Sequence, residues 1–150
     1  MDIQFELILS GKLVFAAIFG AIIGYEREAA HKDAGMRTFS IICLASCLFV
    51  AVASHLTDDK SAIARMLAAI PAGLGFISAG LAFKDKSQSM QGLTTSTALW
   101  SASAIGAALA LNMFLLSFLA TVLTLLVLSL SKFRWYQKLF KTKEKSSDKI

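Results

Sequence analysis

"SQSMQGLTTSTALWSASAIGAALALNMFLLSFLATVLTLLVLSLS", residues 87–131, contains no Asp, Glu, Lys or Arg across 45 positions. A run of about 18 or more uncharged, largely apolar residues is long enough to cross a bilayer as a helix, and 45 are too many for one crossing. Asn112 divides the stretch into two spans, roughly 91–111 and 113–130, and suits the tight turn of a helical hairpin.

Working outward, residues 66–83 and 38–54 are also uncharged. A first span over 7–25 must include Lys12, whose long stem can carry its ammonium toward the headgroups. Of the 150 residues, 56% are hydrophobic and 17% charged, more apolar surface than a soluble domain this small can bury. The expected fold is all-α, a polytopic bundle of five transmembrane helices over residues 1–131, followed by a basic amphipathic tail over 132–150. In that tail Phe133, Tyr136 and Phe140 recur at helical spacing among lysines, as in a helix lying on an anionic membrane surface.

Five spans place the termini on opposite sides. Lys and Arg divide twelve to three between the two sets of flanking loops, with Lys12, Lys60 and Arg65 as the minority. The positive-inside rule then puts the N-terminus outside and the C-terminus in the cytoplasm. This topology accounts for the net charge of +5 without nucleic acid as a partner. The opening "MDIQFELILSGK" has no basic segment before its apolar run, so the first helix is expected to remain as a span.

Small residues recur every four positions: Ala16, Gly20 and Gly24, then Ala69 and Gly73, then Ala102, Gly106 and Ala110. Such stripes let helix backbones approach where lipid supplies no hydrophobic drive. Cys43 and Cys47 fall on one helix face and read as small packing residues. Pro71 is expected near the start of the third span. A weak internal symmetry pairs "GAIIGYERE…AGMRT" with "GFISAGLAFKD…QGLTT" and places Thr94 where Arg37 stands in the first half, so that two helix starts face one cytoplasmic vestibule.

"GYEREAAHKDAGMRT", residues 24–38, concentrates six formal charges and His31 between Glu26 and Arg37. Arg37 stands at a helix N-terminus, where a cation is disfavoured unless an acid offsets it; Glu26 and Glu28 are the available acids, with Gly35 allowing the reversal. The cluster then staples the first hairpin. Alternatively Glu26, Glu28 and Asp33 offer oxygens to Mg2+, or Arg37, Thr38, Thr94 and Thr95 receive an anion. His31 and His55 have no partner at a metal-ligand interval. There is no nucleophile–base pair, P-loop, dinucleotide turn or metalloprotease motif, so an enzyme is not expected and no cofactor is implied beyond Mg2+.

The motifs "GAIIGYERE", "AGMRTFSIICL", "GLGFISAGLAF" and "QGLTTSTALWSASAIGAALAL", in this order and over residues 13–111, resemble the MgtC/SapB family of bacterial membrane proteins. The matching positions are Gly20, Gly24, Glu26, Arg27 and Glu28; Gly35, Arg37 and Thr38; Gly75, Phe76 and Gly80; and Gly92, Leu93, Thr95, Leu99 and Trp100. The run from Gly92 to Trp100 carries the family's small residues in altered order. Longer members add a cytoplasmic C-terminal domain where this sequence has its basic tail. The resemblance implies a multi-pass protein of the bacterial inner membrane, in a virulence-associated family linked to magnesium limitation and stress adaptation. It also implies action through membrane partners such as the ATP synthase, with a homo-oligomer compatible with the small-residue stripes. The alternative is a small transporter or channel for Mg2+ or an anion.

Overall fold

The computed structural model describes residues 3–82 and 92–130. The loop over 84–90, the tail over 132–150 and the expectations attached to them lie outside the described residues. Five helices follow in order: α1 (Ile3–Ala29), α2 (Met36–Leu56), α3 (Lys60–Ala82), α4 (Leu93–Ala110) and α5 (Phe114–Ser129). The all-α expectation holds. α1 from Glu6, α2 and α3 are long and apolar enough to cross a membrane. Six hydroxyl side chains dilute α4, and the described part of α5 is an apolar helix of 16 residues.

Local chemistry sets the boundaries. α3 begins six residues before the uncharged run because Asp59 caps it: its Oδ1 accepts the Ser61 amide at 2.8 Å and its carbonyl accepts the Ala62 amide at 3.0 Å. Pro71, expected near the helix start, is therefore inside α3, which continues across it. At the α4–α5 turn Asn112 adopts φ 63°. The Met113 amide reaches back to the Ala108 carbonyl and the Asn112 amide to that of Leu109, a Schellman-type stop that Asn tolerates well.

The contacts fix helix direction. Phe15 meets Phe114 and Phe19 meets Phe118, with ring centroids 6.3 and 6.5 Å apart. Arg27 reaches Leu128, so α1 and α5 run the same way. Gly20 lies on Phe39 and Gly24 on Met36, which makes α2 antiparallel to α1; Ser78 meets Ser96 and Leu81 meets Gly92, which makes α4 antiparallel to α3. The end of α1, the start of α2, the end of α3, the start of α4 and the end of α5 thus gather at one end of the bundle.

The core is α1, α2 and α4. A Cβ on Gly106 would strike the Cys43 carbonyl, and one on Gly20 would lie 2.5 Å from the Phe39 carbonyl oxygen. Ala16, Cys43, Cys47 and Ala102 are fully buried at these crossings, and both cysteines are free. Ser46 and Ser103 hydrogen-bond across α2 and α4 at 2.8 Å, so their hydroxyls are satisfied where no water reaches. α3 packs from outside, with Leu74 its buried residue. Gly73, expected in a packing stripe, and the family-matching Gly75 and Gly80 would each accept a Cβ with nothing within 4 Å, so none of the three marks a close helix crossing among the described residues.

Gly106→Ala is therefore expected to destabilise the bundle by about 1–3 kcal/mol through overpacking, whereas Gly80→Ala should be neutral or mildly stabilising. Thermal unfolding in detergent checks both.

Candidate functional site

α1 stops where the charged loop begins. His31 takes φ 54°; its amide bonds the Glu28 carbonyl at 2.9 Å, and the Lys32 amide bonds the Arg27 carbonyl at 3.0 Å. This is again a Schellman-type end, and His is among the non-glycine residues found more often in the left-handed region. Gly35, expected to make the reversal, has φ −113°, open to any residue. What it supplies is room, since a Cβ there would lie 2.6 Å from Glu28 Oε2. That same oxygen accepts the Met36 amide at 2.9 Å. An acid therefore satisfies a free amide at the N-terminus of α2, where the helix dipole favours it.

Glu26 and Arg27 form an ion pair with each other. The Arg27 Nε lies 2.6 Å from Glu26 Oε2, and the residues are only 8% and 3% exposed. From the same guanidinium, Nη2 donates to the Leu128 carbonyl at 3.4 Å, tying the end of α1 to the last turn of α5. The acids expected to hold Arg37 are thus engaged with Arg27 and with the Met36 amide, and Arg37 is exposed.

Arg37 and Thr38 instead line an open cavity of about 550 Å³ together with Glu28, Lys32 and Asp33. Thr94 lines a smaller cavity of about 280 Å³ with Thr97, Ser101 and Thr124, between α4 and α5, while Thr95 is buried. The two helix starts share one end of the bundle but open into these separate cavities. Among the described residues no three His, Cys, Asp or Glu side chains converge as a metal site, so Glu26, Glu28 and Asp33 do not come together. Trp100 ties α4 to α3 through its Nε1, which donates to Ser78 Oγ at 3.2 Å; Ser96 Oγ donates to the Ser78 carbonyl at 3.1 Å.

Sequence reasoning missed Lys12. Its side chain does not extend toward solvent: the residue is 8% exposed and Nζ donates to the Ala110 carbonyl at 2.9 Å. A cation on the last turn of α4 complements the helix dipole. The available signal was a lysine inside an apolar span with no carboxylate three or four residues away on its own helix, which points to an acceptor from another helix.

The MgtC family model matches residues 13–134, and the chain belongs to the MgtC family. It is 35% identical to protein SrpB of Synechococcus elongatus over 81% of this chain and 73% of that one. It is 36% identical to YhiD of Escherichia coli K12, named as a candidate magnesium transporter, over 78% of this chain and 57% of that one. With protein MgtC of Brucella abortus it shares 36% identity over 63% of this chain and 39% of the relative. The match thus spans roughly two fifths to three quarters of these relatives' lengths. No solved structure matches the chain significantly. Family and helices together define a membrane protein.

Arg27→Gln should lower the unfolding midpoint by removing the ion pair with buried Glu26 and weakening the tie to Leu128, whereas Arg37→Gln should leave the midpoint unchanged. Lys12→Met should lower the midpoint by removing the ammonium from the Ala110 carbonyl. Unfolding of the purified variants in one detergent separates the three.

Proposed function

We propose that this chain is a non-enzymatic, multi-pass protein of the bacterial inner membrane, serving adaptation to magnesium limitation or related stress by binding protein partners within the membrane. The twelve-to-three division of Lys and Arg supports an external N-terminus and a cytoplasmic charged end. The observation that carries the reading is that the buried charges are used inside the fold. Glu26 is paired with Arg27, Arg27 with Leu128 and Lys12 with Ala110, while Gly106 closes the bundle centre against Cys43. With its charges so engaged and its centre closed among the described helices, one copy is better suited to contact through its outer faces than to conduction through its middle. A respiratory assembly such as the ATP synthase is a partner of the expected kind, and self-association is compatible with it.

The second reading, a small transporter of Mg2+ or an anion, draws on the charged cavity beside Arg37 and on the name carried by YhiD. Photo-crosslinking in native membranes is expected to capture a defined heterologous membrane protein, and recovery of self-contacts alone overturns the leading reading. Proteoliposomes under an imposed gradient should move neither Mg2+, H+ nor phosphate; a flux that Arg37→Gln abolishes transfers the assignment to transport.

A further inference from the structure

The cavity at the charged end does not stop at the membrane interface. Its apolar wall, Ile41, Ile42 and Ile77, also lines a second cavity of about 470 Å³ between α2 and α3, which continues past Ala45 to Phe49 on α2 and past Gly73 to Met66 on α3. Sharing that wall, the two adjoin as a slot that is charged at one end and apolar along the rest. From Arg37 to Phe49 it extends twelve residues of α2, about 18 Å at the rise of an α-helix. Each part lies within the range of about 300–1,000 Å³ typical of ligand sites. The same slot explains why α3 is so sparsely packed against the core, with 6% of its membrane-length window buried.

We infer that this slot holds a single phospholipid whose headgroup carries a primary amine beside its phosphate. The phosphate faces Lys32, Arg37 and the Thr38 hydroxyl, the ammonium faces Glu28 and Asp33, and an acyl chain lies between α2 and α3. Charge complementarity selects this occupant. Basic groups at the mouth of an interhelical pocket attract phosphate, but two carboxylates at the same mouth oppose a purely anionic lipid. A quaternary choline has no N–H to donate to them. A free phosphate leaves the apolar length unfilled, and so does a metal ion. The inference stands whether the protein acts through partners or by transport.

The test uses the purified full chain equilibrated with equal amounts of phosphatidylethanolamine, phosphatidylcholine and phosphatidylglycerol, with retained lipid identified by native mass spectrometry. Phosphatidylethanolamine is expected to be retained several-fold over the other two, and excess inorganic phosphate should not displace it. Arg37→Gln should reduce retention about fivefold. Ala69→Phe, on the slot wall, should abolish retention without lowering the unfolding midpoint; Gly73→Leu provides the same block should Ala69→Phe not fold. Equal retention of the three lipids, preference for phosphatidylglycerol, displacement by phosphate, or undiminished retention in a folded blocked variant each overturn the inference.

Discussion

Lipid offers no hydrogen bonds to the carbonyls that end a helix, and the arrangement of this protein turns on how two of those ends are satisfied. Lys12 and Arg27, both on α1, donate to the last turns of α4 and α5 respectively. They are 15 residues apart on α1, about 22 Å along the helix axis, so one helix braces both ends of the α4–α5 hairpin. The Phe15–Phe114 and Phe19–Phe118 contacts fill the interval between them. Arg27 can do this while buried because Glu26 lies beside it, and the pair together avoids the cost of a lone charge.

Once α1 is fixed against the hairpin, α2 must fit between α1 and α4, and only glycine permits the approach. Gly20 and Gly24 admit α2 on one side and Gly106 admits it on the other, with the Ser46–Ser103 bond setting the register. α3 stands at the edge of this block. It is held near its charged end by the Ser78, Ser96 and Trp100 contacts and further along by Leu67, Ile70 and Leu74 against the core, with apolar cavities on either side.

The fold was legible because its signals are local: uncharged runs of bilayer length, Asn112 at the hairpin turn, and family motifs of specific order. The small-residue stripes on α1 and α4 also pointed correctly to the close crossings. The stripe on α3 looked the same in sequence, yet Ala69 and Gly73 line an open cavity facing α2 instead of a close crossing, because periodicity reports a face and not how closely its neighbour approaches. The charged site was harder to read. Glu26, Arg27, Glu28 and Arg37 could be recognised as a cluster, but their pairing depends on carbonyls and amides that sequence does not display, chiefly those of Leu128 and Met36. Lys12 was misjudged for the same reason, since its acceptor lies 98 residues away. His31 gave no turn signal comparable to Asn112 or glycine.

The burial of Lys12 carries a consequence for how the bundle is built. Its acceptor, the Ala110 carbonyl, lies 98 residues further along the chain, and a lysine ammonium facing hydrocarbon without a partner is costly. However early α1 is made, it gains its full stability only when α4 is in place.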